Sequence, residues 1–160
     1  MTRPITWGKF AAIDPALAAF GEQRLSNRVS YLATIRSDGG PRVYPVTPHF
    51  ANATCFVYME PTSPKVSDLE RDARYALHCY VENNDGGDGE FGIRGSAERL
   101  NDPLRRRQLF DAARAQGFKP RERYVLFELR VGVAFSTTYD SEGLPNRKLW
   151  KPSGPVRRVP

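Results

Sequence analysis

The sequence predicts a mostly β, α+β domain in which six short antiparallel strands form a barrel with two or three helices at its periphery. Three observations predict this fold class. The chain has 160 residues and is 40% hydrophobic, which suits a single domain, 1–160, with one core. Short segments rich in β-branched and aromatic residues alternate with turn segments rich in Gly, Asn and Asp. No predicted strand runs into a G-x-G-x-x-G or G-x-x-x-x-G-K-S/T turn, so a parallel sheet with a dinucleotide or P-loop site is not expected.

Six segments have the composition of strands, and hairpins connect them. The Ser-Asp-Gly-Gly turn at 37–40 joins the first two strands, and the Asn/Asp/Gly-rich loop 83–89 joins the fourth and fifth. Gly92 and Gly95 mark bends in the fifth strand. Short strands leave edges exposed, so closure into a barrel is expected. The six segments are 29–36, 41–48, 55–59, 75–82, 90–100 and 124–139.

Pro45 lies in the middle of the second predicted strand. Proline has no N–H group to donate to a neighbouring strand. This strand is therefore expected to have an edge, a bulge or something other than a strand beside it.

Helices are predicted where Asp or Ser precedes Pro, because such a pair supplies an N-cap and a first helical residue. The last of these helices has arginines between its apolar positions and is expected to end at Gly117. The pairs are Asp14-Pro15, Ser63-Pro64 and Asp102-Pro103.

The chain has a formal net charge of +6, and the excess positive charge is confined to two segments. Residues 1–98 have a net charge of −2, whereas 99–130 and 147–160 each have +5. The three consecutive arginines at 105–107 fit the solvated face of a predicted helix. A barrel that binds nucleic acid through these arginines and the basic, Pro-rich tail 147–160 remains a less favoured alternative, and it predicts an affinity that falls steeply as salt rises. The tail itself is a candidate for disorder or for docking on a partner subunit.

The sequence favours a cytoplasmic protein that does not contact a membrane. No apolar run reaches the length of a membrane span, and Lys9, Asp14 and Pro15 interrupt the region where a secretion signal would lie. In that compartment Cys55 and Cys79 are predicted to be free, buried thiols.

The two histidines, His49 and His78, have no spacing typical of metal ligands. A metal site is therefore not expected.

The segment 62–65, Thr-Ser-Pro-Lys, has the clearest binding chemistry. A helix N-terminus presents free N–H groups and a partial positive charge, and Ser63 and Lys65 add a hydroxyl donor and a full charge. This combination indicates an anion site. The alternative is that Ser63 only caps the helix and Lys65 is solvated.

Taken together, several segments resemble the pyridoxamine 5′-phosphate oxidase-like, flavin-binding split-barrel family. The resemblance covers roughly residues 26–110 and depends on the order of the segments more than on any one motif. It is nearest to the uncharacterised oxidase-related branch, in which a Glu-Pro-Thr-Ser-Pro-Lys run such as 60–65 recurs. The segments are Tyr-Leu-Ala-Thr-Ile at 31–35, Asp-Gly at 38–39, Pro-Arg-Val-Tyr-Pro-Val at 41–46, Ser-Pro-Lys at 63–65 with Leu69, and Arg-Gly-Ser-Ala-Glu at 94–98.

The resemblance implies a six-stranded antiparallel split β-barrel that forms a homodimer and holds FMN, or in some branches F420, between its subunits. The second strand would lie along the flavin, which explains why Pro45 needs no neighbouring strand there. Arg42 would lie near the phosphate or the ribityl chain, and Glu90 would be contributed across the dimer. The remaining residues implied to contact the cofactor are Val43, Tyr44, Val46, Thr47, Tyr58, Met59, Ser63, Pro64 and Lys65.

This sequence also departs from the oxidase pattern. Pro64 replaces an arginine beside the phosphate, and Thr47 replaces a basic residue at the end of the second strand. The substrate-phosphate motif near the C-terminus becomes Arg-Lys-Leu-Trp-Lys at 147–151 and has no histidine. These differences argue against oxidation of pyridoxamine phosphate itself.

Two residues of that C-terminal segment remain candidates for the cofactor site. Arg147 or Arg42 would stabilise negative charge on the reduced flavin. Trp150 would either stack on the flavin or substrate from the partner subunit or anchor the tail to the barrel.

The expected function is that of an FMN-binding oxidoreductase acting on an unidentified small molecule, with its catalytic residues unknown. Two alternatives remain open: an F420-dependent reductase of the same fold, and a flavin- or haem-binding sensor or stress protein without turnover. The sequence shows no convincing acid–base pair, which favours the second of these.

Overall fold

The computed structural model describes residues 3–152 and 154–159, the latter as backbone only, and these contain four helices and nine strands. In chain order they are α1 (Trp7–Ile13), α2 (Pro15–Leu25), β1 (Ser30–Ile35), β2 (Pro41–Val46), β3 (His49–Ala51), β4 (Thr54–Met59), α3 (Pro64–Arg71), β5 (Arg74–Cys79), β6 (Glu90–Arg99), α4 (Pro103–Ala115), β7 (Val125–Tyr139), β8 (Pro145–Lys151) and β9 (Gly154–Val159).

The strands form one antiparallel sheet in the order β2-β1-β5-β6-β7-β4-β3. β8 pairs with the second half of β7, and β9 pairs with β8. Among the described strands, β2 and β3 are the two ends of the order, so the hydrogen-bonded sheet is not closed. The mostly antiparallel β class predicted from the sequence is confirmed.

The predicted number of six strands is wrong, because β3, β8 and β9 were not expected. β3 has only three residues and therefore carries no alternating pattern. β8 lies in the basic, Pro-containing segment that was expected to be a tail, and it forms because the 15-residue β7 extends far enough to pair with it. Docking of 147–160 on a partner subunit stays a prediction.

The helix count of two or three is also too low, since α1 precedes α2. Its sequence lacks the Asp/Ser-Pro signal; Thr6 caps it instead, with its hydroxyl 3.4 Å from the Lys9 N–H. Trp7 and Phe10 anchor this short helix in the core. Tertiary burial rather than local propensity therefore stabilises α1.

The helix N-caps and the hairpin turn predicted from the sequence are present in the structure. Asp14 accepts a hydrogen bond from the Leu17 N–H at 3.0 Å, and Asp102 accepts one from the Arg105 N–H at 2.8 Å. β1 and β2 form the predicted hairpin, with Gly39 at φ +82° in its turn. These N-caps and this turn are confirmed.

Pro45 lies in an edge strand. Among the described strands β2 pairs only with β1, and Pro45 is opposite Tyr31 in that pairing. The expectation that one side of this strand lacks a strand neighbour is confirmed.

The main core fills the space between the inner face of the sheet and helices α1 and α2. Trp7, Phe10, Phe91 and Trp150 are each no more than 2% exposed and lie in edge-to-face or tilted ring contacts. Both cysteines lie in this core as free, buried thiols, as predicted. A second, smaller cluster lies under α4 and consists of Phe56, Leu100, Leu109, Phe110 and Leu126.

Candidate functional site

The predicted cofactor residues of β2 and the start of α3 come together in the fold. Arg42 and Tyr44 alternate with the more exposed Val43 and Pro45, so they face the side of the strand where α3 lies. The Lys65 ammonium lies over the Tyr44 ring, 4.9 Å from its centroid. Two cations, on different elements, therefore occupy one side of β2.

Asp68 of α3 fixes the position of Arg42. Its carboxylate is 3% exposed and lies 3.3 Å from the Arg42 guanidinium. The same carboxylate accepts a hydrogen bond from the Thr34 hydroxyl at 2.8 Å and lies 3.3 Å from the Arg71 guanidinium. This buried acceptor was not predicted, because nothing in the local sequence distinguishes it from a solvated helix residue.

The N-terminus of α3 presents donors next to these cations. Ser63 occupies the N-cap position, but its hydroxyl makes no capping bond to α3, all of which lies within the described residues. Pro64 has no N–H group, and the Val66 N–H donates to the Ser63 carbonyl at 2.9 Å, so at this helix start it is the Ser63 hydroxyl that is available to an anion. Burial lowers the pKa of Lys65, and a bound anion would offset that cost.

This donor set fits a phosphate monoester such as that of FMN. It combines two cations, a hydroxyl and the start of a helix beside an edge strand in which Pro45 has no N–H group. Val43, Val46 and Thr47 belong to the same strand or directly follow it, and Pro64 is the first residue of α3.

Met59 and Tyr58 point to opposite sides of β4. Met59 is buried in the main core, and Tyr58 packs against the cluster under α4. The Tyr58 ring stacks on His49 with centroids 4.8 Å apart and an interplanar angle of 9°. Burial raises the pKa of Tyr58 and lowers that of His49 to about 4. Neither the Tyr58 hydroxyl nor the His49 Nδ1 has a hydrogen-bond partner among the described residues.

Glu90 and Arg147 lie on either side of β7, in a part of the sheet away from β2. Both flank Thr137 in the sheet, Glu90 on β6 and Arg147 on β8. β6 is three strands from β2, a separation of about 14 Å at normal strand spacing. Within one protomer, Glu90 and Arg147 therefore lie apart from the predicted residues of β2 and α3.

Trp150 lies in the core of its own chain. It is 1% exposed, and its ring packs against Phe10 with centroids 4.7 Å apart. Of the two roles considered from the sequence, this packing corresponds to anchoring the C-terminal segment.

Two of the three consecutive arginines on α4 have structural partners. Arg105 lies 3.1 Å from the fully buried carboxylate of Glu128, and Arg106 donates to the Glu122 carbonyl at 2.7 Å while its guanidinium covers the Phe110 ring at 4.6 Å. These contacts attach α4 to the sheet and to the segment before β7. The positions of Arg105 and Arg106 are therefore explained by contacts within the fold.

The outer face of the sheet, on the side opposite the main core, carries a mostly apolar patch with the exposed Arg94 among its lining residues. Alternation places Tyr31, Val43, Ala76, His78 and Phe135 on this face, around a depression of about 460 Å³. Val43 is 60% exposed and Tyr31 42%. Exposed apolar patches of this kind typically mark interaction sites.

None of the helices in the described residues is long and apolar enough to cross a membrane.

No protein-family model matches the sequence, and no curated protein matches it. Solved structures do resemble the fold. PhzG from Burkholderia lata 383, in complex with tetrahydrophenazine-1-carboxylic acid, has a TM-score of 0.68 at 16% identity, covering 94% of this chain and 91% of that one. A putative pyridoxamine 5′-phosphate oxidase from Listeria innocua has a TM-score of 0.58 at 16% identity, covering 74% and 93%. An F420 reductase has a TM-score of 0.54 at 19% identity, covering 71% and 94%. The chain therefore has the fold of the pyridoxamine 5′-phosphate oxidase-like split-barrel proteins.

Proposed function

We propose that this protein is a homodimeric, FMN-binding oxidoreductase that acts on a small molecule in the cytoplasm. One observation carries the proposal: Arg42 and Lys65 lie on the same side of an edge strand, beside the N-terminus of α3. The fold it shares with the putative pyridoxamine 5′-phosphate oxidase supports the same assignment.

In this proposal the chain binds and orients the cofactor. FMN, when bound, would supply the electron or hydride transfer. Arg42, Lys65 and the Ser63 hydroxyl would hold its phosphate, and Asp68 would keep the Arg42 guanidinium in place. The Pro45 segment would contact the flat cofactor on the side of β2 that no described strand occupies.

The dimer is proposed because Glu90 and Arg147 lie apart from the residues of β2 and α3. Glu90 is three strands from β2 and Arg147 is on β8, beyond β7, so they would complete the site of the partner subunit instead of their own. The apolar outer face, with Tyr31 and Val43 exposed, is the surface that we propose the partner covers. Burial of apolar area on that face would favour association.

Two alternatives use the same site. An F420-dependent reductase would place an anionic phosphodiester on the same cations, and the resemblance in fold to an F420 reductase supports it. A cofactor-binding protein without turnover is favoured by a different observation: the buried carboxylate nearest Arg42, that of Asp68, is fully engaged with Thr34, Arg42 and Arg71 and is not a free acid or base.

The visible spectrum of the purified protein tests the proposal. We expect binding of FMN at micromolar concentration or below, and reduction of the bound flavin by a nicotinamide donor. Binding of F420 in place of FMN would support the first alternative, and bound flavin that no nicotinamide or F420 donor reduces would support the second. Failure to bind either cofactor would refute the proposal and the first alternative, and binding of haem alone would leave only a haem-binding protein without turnover.

A further inference from the structure

Cys79, at the end of β5, is a thiol that the proposed flavin site does not use. Its side chain is 1% exposed, and its sulfur accepts a hydrogen bond from the backbone N–H of Phe91 at 3.2 Å. The Cys55 thiol, also fully buried in the same core, serves as an internal comparison.

Two further donors near Cys79 lack partners. Ser30 is directly opposite Cys79 in the β1–β5 pairing, which places the two side chains on the same face with Cβ atoms about 5 Å apart. Ser30 is fully buried, and its hydroxyl has no hydrogen-bond partner among the described residues. A buried hydroxyl without a partner is unfavourable, so a hydrogen-bond acceptor placed between β1 and β5 would be stabilised.

The Arg24 guanidinium places a positive charge near Cys79. It is 4% exposed, and its Nη2 donates to the carbonyl of Tyr80, the residue after Cys79, at 2.9 Å. Its Nε has no hydrogen-bond partner within the described part of the chain. Its Nη1 lies 3.6 Å from the carboxylate of Asp88, which is 75% exposed in the loop that follows β5.

These groups make the two thiols of the chain chemically different. Burial raises the pKa of Cys79, but the neighbouring His78, the Phe91 N–H that donates to the sulfur and the charge of Arg24 together outweigh burial and lower it overall. For Cys55, burial and then the carboxylates of Glu22 and Glu128 all raise the pKa. The thiolate, which is the nucleophilic form, is therefore easier to form at Cys79 than at Cys55.

We propose that Cys79 is a peroxide-reactive thiol whose oxidised form is held by the Phe91 N–H, Ser30 and Arg24. The Cys79 thiolate attacks one oxygen of hydrogen peroxide, so that an S–O bond forms as the O–O bond breaks. The sulfur loses two electrons, the peroxide is reduced, and the leaving hydroxide takes the proton of the sulfur-bound oxygen to become water. The product is a sulfenate, whose negative oxygen is an acceptor for the unpaired donors of Ser30 and Arg24.

The burial of Cys79 determines which reagents reach it. Hydrogen peroxide is little larger than water and would enter beside the loop 83–89, whereas an aromatic disulfide reagent would not. The proposal therefore predicts a thiol that is oxidised by peroxide in the native protein but not labelled by bulky thiol reagents.

Peroxide treatment of the native protein, followed by unfolding in the presence of dimedone and peptide mass spectrometry, tests this. We expect the dimedone adduct at Cys79 and none at Cys55. Cys79→Ser should abolish the adduct and Cys55→Ser should retain it. Ser30→Ala and Arg24→Gln should each slow its formation about tenfold, the effect of losing roughly 1.4 kcal/mol of stabilisation.

Thermal unfolding of each variant shows whether it remains folded, and Ser30→Ala, the smaller change, keeps the test valid if Arg24→Gln does not fold. The proposal is overturned by equal labelling of the two cysteines, by labelling of neither, or by a folded Ser30→Ala variant that reacts at the wild-type rate.

Discussion

The ammonium group of Lys65 lies 4.9 Å from the centre of the Tyr44 ring, which joins the first turn of α3 to the edge strand β2. The two residues are far apart in sequence, and each was implicated in flavin binding separately. Their contact places a partly desolvated cation beside the strand along which we propose the flavin lies.

Removing this cation should discriminate between flavins with and without a phosphate. We expect Lys65→Ala to weaken FMN binding about tenfold or more and to leave riboflavin binding nearly unchanged, because the ammonium is placed to contact only the phosphate. Fluorescence titration with both ligands measures the difference. Lys9→Ala, which removes an exposed lysine from α1, is the matched control. Equal losses for FMN and riboflavin would show that Lys65 does not contact the phosphate.

A charge on the outer face of the sheet should dissociate the proposed dimer. Tyr31 is 42% exposed at the edge of the apolar depression, so Tyr31→Lys should leave the monomer folded and raise the dimer dissociation constant about tenfold or more. Light scattering across a range of concentrations measures this. Leu104→Lys introduces the same charge at a 67% exposed position on α4 and should not affect assembly. If both variants remain dimeric, the partner covers a different surface.

Arg105 should contribute to stability more than its neighbour Arg107. Arg105→Ala would leave the Glu128 carboxylate, which is fully buried, without its nearest cation. We expect a loss of about 2–3 kcal/mol, less than for a fully buried pair because Arg105 is 38% exposed. Urea denaturation measures it. Arg107→Ala should change stability by no more than about 0.5 kcal/mol. Equal effects would show that the Glu128 contact does not stabilise the fold.

Trp150 should act as a core residue. Because its side chain is 1% exposed and packs on Phe10, Trp150→Ala should destabilise the protein by about 3–5 kcal/mol. Trp150→Phe should retain most of the stability and leave the spectrum of bound flavin unchanged. Leu144→Ala, at a 58% exposed position, is the neutral control. A folded Trp150→Phe variant with altered flavin absorption would instead favour stacking on the cofactor.

His49 should make the protein sensitive to mild acid. Burial lowers its pKa from 6.5 to about 4, so below pH 6.5 the unfolded chain takes up a proton that the folded chain does not. Stability is therefore present above pH 6.5 and lost as the pH falls toward 4, by about 3 kcal/mol from this group. Denaturation between pH 4 and 7 should show a flatter profile for His49→Leu.

His78 serves as a control because its contribution to stability changes with pH in the opposite direction from that of His49. Hydrogen bonding to Cys79, whose carbonyl oxygen lies 2.7 Å from the ring Nδ1, raises the pKa of His78, so its contribution is present at low pH and lost as the pH rises through its folded value. His78→Gln should therefore retain the loss of stability toward pH 4. A profile that is the same in wild type and His49→Leu would assign the acid sensitivity to other groups.

The sequence by itself determined the features that depend on neighbouring residues. Asp14 and Asp102 cap helices because their carboxylates reach N–H groups three residues ahead, and Gly39 allows the hairpin turn because it adopts a positive φ freely. Pro45 indicated an edge strand because it lacks an N–H group. The free, buried thiols followed in the same way from the apolar runs that contain them.

Only the tertiary structure decided the features that depend on distant residues. The three-residue β3 and the basic β8 have weak patterns of their own and exist because β4 and β7 supply their hydrogen bonds. Asp68 and Thr34 are 34 residues apart, and Arg105 and Glu128 are 23 apart. A buried carboxylate is stable only where the fold brings a hydrogen-bond donor or a cation to it. A local sequence pattern does not specify such a contact between distant residues. For the same reason, the grouping of Arg42 and Lys65 at β2, apart from Glu90 and Arg147, became visible only once the strands were paired.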